Sequence, residues 1–254
     1  MEKLAKSPLV YVVAQVRIGA VLKMADYIPE IQEGMRKSDY ALFRESEVRE
    51  MEFRPAGATL RTTPQWAFEQ IDRTTGFLVQ PGAVTFHSTA YDTHEGFFVA
   101  LRQGLEIVQD VVGIAATERL GLRYVDAFHA SAEHRLADYF KEGLRGISLE
   151  NIGARKPRSF TNLIMDTDVG GRLVVRIGQN TDGALPPNLL PQDLLCEKAF
   201  DAGKPIGILD YDHFIEKMEK FSVDRAMGQF NGLHGILSDV FRETISDFAL
   251  EEWR

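Results

Sequence analysis

A chain of 254 residues, 44% of them hydrophobic, holds enough apolar material for a buried core without disulfides or metals. Its formal net charge of -8 sets the overall field against phosphate backbones and anionic headgroups, which disfavours nucleic acid while leaving room for a local basic face. The single cysteine, Cys196, excludes an internal disulfide and a multi-cysteine zinc site, and points to a reducing, cytoplasmic setting.

Residues Met1 to Ser7 are followed by Pro8 and an alternating pattern, not by the apolar stretch of a signal peptide, and no run of eighteen apolar residues predicts a membrane span. Leu9 to Ile18 predicts a strand with Val10, Val12, Ala14, Val16 and Ile18 on one face. Met24 to Lys37 changes to helical spacing, with Ile28, Ile31 and Met35 on one stripe. Tyr40 to Tyr91 has the texture of an antiparallel meander: strands over Tyr40 to Phe53, Gln65 to Asp72, Phe77 to Gln80 and Ala83 to Tyr91. Thr75-Gly76 and Pro81-Gly82 read as its tight connections, and Arg54 to Pro64 as a longer loop. Asp92-Thr93-His94-Glu95 has the form of a capping box, with Asp92 as cap of a helix that carries Phe97, Phe98, Leu101, Leu105, Val108 and Val112 to Gly113.

The order then begins again. Arg119 to Tyr124 alternates as a strand, and Leu136 to Leu144 predicts a short amphipathic helix. Ser159 to Thr167 and Leu173 to Gln179 predict a hairpin around Val169-Gly170-Gly171, and Pro205 to Asp210 a buried strand. A long final helix starts near Ser222 and runs through Met227, Phe230, Leu233, Leu237, Val240, Phe241 and Ile245 to Phe248. Ala25-Asp26-Tyr27 before Glu33-Gly34-Met35-Arg36 echoes Ala137-Asp138-Tyr139 before Glu142-Gly143-Leu144-Arg145. The fold class expected is therefore α+β, in two similar halves, 1–115 and 116–254, each strand, helix, three or four antiparallel strands and a long helix. The order resembles TBP-like or helix-grip folds, with an internal duplication as its economical origin. The halves join edge to edge in one sheet or pack as two lobes.

Three stretches resemble a sporadically distributed family of uncharacterised bacterial proteins: Pro8 to Arg17, Glu118 to Asp126, and the aromatic meander with Trp66. The resemblance implies no activity, catalytic residue or cofactor; its patchy distribution implies a conditional role of the mobile or defence-linked kind.

The most chemical-looking cluster is Asp210, Asp212 and His213. Two carboxylates and an imidazole are hard ligands for a divalent metal, and the alternative is a strand-to-helix turn in which Asp212 caps His213 to Lys220. Asp166 and Asp168 join the cluster only if the hairpin turn lies beside it. Arg119 and Arg123 share one parity of a strand, either as a phosphate or carboxylate grip or as cross-strand ion pairs, and Lys156 and Arg158 extend the basic reading. His129 and His134 have no ligand spacing, His234 reads as a packed histidine, and Gly228, Gly232 and Gly235 as close backbone approach or room for a ligand. Cys196 reads as a small buried hydrophobe. No nucleophile elbow, zincin helix, phosphate loop or dinucleotide fingerprint is present. The expected function is a non-catalytic binding protein that holds a partner protein or small ligand on a curved sheet or inter-half groove, with no cofactor. The alternatives are a metal-dependent hydrolase or nuclease and a phosphate or nucleic-acid binder.

Overall fold

Strict alternation makes the opening strand β1 (Leu9–Ile18), with Val12, Ala14, Val16 and Ile18 buried in the main core and Gln15 and Arg17 turned outward. One residue departs from the expected parity. A bulge between Leu9 and Tyr11 sends Val10 to the opposite face, into a small second cluster with Val125, Ala127, Ile206 and Ile208. The computed structural model describes residues 4–54, 57–147, 158–180, 185–186, 189–191, 193–201 and 203–254. Lys156 and most of the loop expected over Asn180 to Leu190 lie outside them.

The chain continues through α1 (Met24–Lys37), β2 (Leu42–Arg54), β3 (Gly57–Glu69), β4 (Thr75–Gln80), β5 (Ala83–Ser88) and α2 (His94–Val112). It then forms β6 (Ala116–His129), β7 (Ser159–Asp166), β8 (Arg172–Asn180), β9 (Ile206–Lys220), α3 (Val223–Thr244) and α4 (Asp247–Trp253). The strands make one nine-stranded antiparallel sheet in the order β2-β3-β4-β5-β1-β6-β9-β8-β7. This is the α+β class that the element order predicts. The apolar stripes of α1, α2 and α3 share one core with the inward residues of the sheet: Phe68, Phe77 and Phe86 on one side, Leu122, Leu209 and Leu173 on the other. Among the described residues no helix is long and apolar enough to cross a membrane.

Several boundaries differ from the sequence reading, most because tertiary pairing outweighs local signals. Gly57 to Pro64 of the expected loop is instead strand, paired with β2 in a register that runs from Leu42↔Glu69 to Arg54↔Gly57. Only Trp66 to Glu69 of β3 also meet β4, so Pro64 sits where its strand has a single neighbour, a position that tolerates proline. Thr75-Gly76 belongs to β4 and is no turn. The helix expected over Leu136 to Leu144 is two 3-10 turns, Leu136–Tyr139 and Glu142–Leu144, and the last helix breaks before Phe248. A shared set of bonds causes both changes: Phe140 bridges Ile245, Lys141 N–H donates to Thr244 O at 3.0 Å, and Ser246 N–H to Tyr139 O at 3.0 Å. The Ser246 hydroxyl then caps α4 by accepting from Ala249 N–H. At the start of α2 the cap is Thr93 and not Asp92: the Thr93 hydroxyl accepts from Gly96 N–H at 3.2 Å.

Helix-to-sheet distance is set by small residues. A Cβ at Gly104 of α2 would stand 2.1 Å from the buried Phe77 ring, and one at Gly34 of α1 would stand 2.7 Å from Ile107 of α2. In Gly104→Ala the helical preference for alanine contributes about 1 kcal/mol, and overpacking a closed core costs about 1–3 kcal/mol, so the second effect wins. Urea unfolding of Gly104→Ala is expected to show a net loss of about 1–2 kcal/mol; an unchanged or higher midpoint would show that the Phe77 ring gives way.

Candidate functional site

The outward face of β6 and β9 holds four of the five residues that the sequence marks as site candidates. Arg119 and Arg123 on β6 meet Glu216 and Asp212 on β9 in register. The Arg123 guanidinium grips Asp210 with Nε at 2.6 Å and Nη2 at 3.0 Å, and Arg176 of β8 reaches the same carboxylate at 2.9 Å. Arg119 lies over the Phe214 ring at 4.3 Å, with Asp212 at 3.6 Å, and the bare Gly121 between the two arginines makes room for it. The arginines therefore stand in cross-strand ion pairs, and Asp210 is already saturated by two guanidiniums.

His213 is separated from both aspartates by the pleat. Asp212 and His213 are mid-strand and not a helix cap, because β9 is paired on both sides, by β6 and β8. Successive residues of a strand face opposite ways, so Asp210 and Asp212 point out while His213 is buried under α3 and bonds the Thr167 hydroxyl at 2.9 Å. The hairpin turn does reach His213, but through Thr167, whereas Asp166 pairs with Arg172 at 3.6 Å. Among the described residues no group of three His, Cys, Asp or Glu is placed to hold a metal ion.

The remaining candidates disperse. His129 is held by Pro205 O at 2.8 Å and Asp201 N–H at 3.1 Å, and His134 stacks on Phe248. Cys196 is half-buried at the margin of the second cluster, more open than expected. Gly228 and Gly235 have open space where a Cβ would stand. Arg158 is described, but its presumed companion Lys156 is not.

His234 is the exception, because it opens onto a cavity of about 180 Å³ on the helix side of the sheet. The cavity lies between the first turn of α2 and the middle of α3, floored by β6 and β9. Its polar lining comes from Tyr91, Glu95, Tyr124, Asp126, Tyr211 and His234, and its apolar lining includes Leu9, Leu237 and Phe241. Tyr124 OH bonds His234 Nδ1 at 3.0 Å and Tyr91 OH at 3.4 Å, and the His94 ring stacks on His234 at 4.3 Å.

Two members of this lining are uncompensated. The Tyr211 hydroxyl is buried with no partner at hydrogen-bond geometry; the nearby Thr244 hydroxyl donates its proton to Val240 O at 2.7 Å and so has none to give the Tyr211 oxygen. Asp126, 4% exposed, accepts no hydrogen bond from any described residue. Burial pushes its carboxyl up to about 7, with the Lys198 ammonium pulling the other way. Burial, helped by the neighbouring His94, pushes His234 down to about 4. Burial also raises Tyr91 to about 12 and Tyr124 well above its ordinary value. Burial thus favours the neutral forms of Asp126, His234, Tyr91 and Tyr124.

Sequence reasoning missed Asp126 and Tyr211, though one signal was present: Asp126 shares the parity of Leu120, Leu122 and Tyr124, so an inward carboxylate was legible on β6. Tyr211 was hidden by reading its segment as a turn. Against known proteins, the chain matches no family model, and no curated protein matches it.

Asp126 opposes the histidines in the pH dependence of stability. Its folded value lies above the unfolded one, so its contribution is complete below about pH 4 and is lost as pH rises through about 7, on the order of 4 kcal/mol at about 1.4 kcal/mol per unit. His87 and His234 have the opposite sign over the same window, both depressed to about 4 by burial, and lose stability as pH falls below about 6.5. Denaturant melts from about pH 8 down to about pH 4 should show Asp126→Asn losing more stability than the parent, because only the parent gains by protonating Asp126; parallel curves for variant and parent would refute the assignment.

Proposed function

We propose that this chain is a non-catalytic binding protein whose ligand is a small molecule held in the cavity between α2 and α3. One observation carries the reading: a buried hydroxyl without a partner and a carboxylate without a donor line the same cavity. Each such group costs about 1–3 kcal/mol in the empty protein, and native interiors carry few of them. A ligand that bonds both recovers that cost on binding. The alternative based on Asp210, Asp212 and His213 has no comparable support, since the pleat divides them and Arg123 and Arg176 occupy Asp210. The phosphate reading of Arg119 and Arg123 is weakened by the same carboxylates.

We further read the two halves as copies of one plan, of the TBP-like or helix-grip kind. Support comes from the strand order: β1 and β6 meet at the centre, each flanked by the last strand of its own half, β5 or β9, with β4 and β8 next outward. The halves also differ, because β2 and α1 have no counterpart in the second, where 3-10 turns stand in place of the helix. On this reading the cavity is the inter-half groove, formed where the last helix of one half meets that of the other. We place the protein in the cytoplasm, in the conditional setting that its resemblance to sporadically distributed bacterial proteins implies; gene neighbourhoods free of mobile or defence genes would remove that setting.

Tyr211→Phe separates a binding role from a structural one. Deleting an unpartnered buried hydroxyl is expected to stabilise the empty protein by about 1–2 kcal/mol. The same change should weaken ligands found in a binding screen of neutral, cationic and anionic small molecules, in which Ser238→Phe, filling the cavity from α3, serves as the blocked control. Loss of stability in Tyr211→Phe, or a screen in which no compound of any charge distinguishes the parent from Ser238→Phe, would refute the proposal.

A further inference from the structure

We infer that the cavity takes a small organic ammonium ion, with Asp126 as its counter-ion and the aromatic side chains of Tyr91, Tyr124 and Tyr211 around its carbon substituents. This rests on the binding reading above and deepens it by naming the ligand class. The first argument is charge: Asp92, Glu95 and Asp126 all line the cavity, and among the described residues of the lining there is no lysine or arginine. Lys198, whose charge acts on Asp126, donates its ammonium to the carbonyls of Ser7 and Leu9 and is not part of the lining.

The second argument is the state of the buried groups. Asp126 is desolvated and feels Lys198 only through space, without a hydrogen bond, so an ammonium in the cavity supplies a directly bonded counter-charge. Tyr211, 1% exposed, offers an unpartnered hydroxyl oxygen beside it to a ligand N–H or O–H. The third argument is aromatic: Tyr91, Tyr124, Tyr211 and Phe241 surround the space, and aromatic faces attract cations by their quadrupoles.

One feature opposes the assignment. The first turn of α2 opens onto the cavity, and a helix N-terminus favours anions by roughly half a charge. That partial charge is outweighed by the carboxylates, one of which, Glu95, sits in the same first turn, while the Thr93 hydroxyl already takes Gly96 N–H. Choline and n-butylammonium are compact members of this ligand class and serve as its probes.

Calorimetric titration at about pH 8, where Asp126 is ionised, tests the assignment with choline, n-butylammonium, the neutral choline isostere 3,3-dimethyl-1-butanol, and butyrate. The ammonium probes are expected to bind about tenfold tighter than the neutral alcohol. Asp126→Asn, which should fold at least as well as the parent, is expected to erase that preference, and Ser238→Phe to abolish binding. Equal or tighter binding of the alcohol or butyrate, sensitive to Ser238→Phe, overturns the ammonium assignment and leaves the binding reading standing. Failure of all four probes also overturns the assignment, whereas only failure of the wider screen overturns the binding reading.

Discussion

The antiparallel pairing of β1 with β6, from Leu9↔Asp126 to Ile18↔Thr117, holds five strands on one side and four on the other as a single sheet. Because side chains alternate strictly, the register of this central pair decides which residues of its neighbours face the helices. At one end the register is interrupted by the bulge at Val10. That interruption keeps Leu9 and Asp126 on the same face, where both line the cavity beside α3. A carboxylate is thereby carried into an apolar interior by the backbone and not by any partner of its own.

The two faces of the sheet treat charge in opposite ways. On the outward face every strongly placed carboxylate has a guanidinium: Asp210 with Arg123 and Arg176, Asp212 with Arg119, and Glu69 with Arg44 and Arg73. The carboxylates of Asp210 and Glu69 are buried while their guanidiniums reach solvent, so removing an arginine would strand a buried charge. On the inward face Asp126 has the charge of Lys198 nearby but no hydrogen bond to it, and burial favours the neutral forms of His234 and Tyr124. The contrast is informative because the chain has arginines to spare on one face and places none in the cavity.

Uncompensated polar groups reduce the stability of the empty protein, and closed cores ordinarily avoid them. Among the described residues such groups occur at several places, His87 and Asp193 on the outward face and Gln109 and His213 under the helices among them, but only at the seam of α2 and α3 over β6 and β9 does one, Tyr211, line a cavity, beside the fully buried aromatic cluster of Phe68, Phe77 and Phe86. Local violations inside an otherwise consistent fold are the pattern expected of a functional site.

The sequence by itself determined the elements whose periodicity is long and clean: β1, α1, the body of α2, the β7–β8 hairpin and α3 were all legible, as was the α+β class. It also carried the sign of Asp126, an acid on an apolar parity. Tertiary structure decided what depends on partners distant in the chain. Gly57 to Pro64 pairs because β2 lies beside it, α3 ends at Thr244 because Lys141 N–H takes the Thr244 carbonyl and Tyr139 O takes the Ser246 N–H, and Asp212 stays in a strand because β6 and β8 pair with it on both sides. Whether Asp210, Asp212 and His213 converge, and whether Tyr91, Tyr124, Tyr211, Asp126 and His234 do, was likewise undecided by spacing. Convergence is a property of faces and registers between strands and helices, and a linear pattern encodes the face of each element without saying which faces meet.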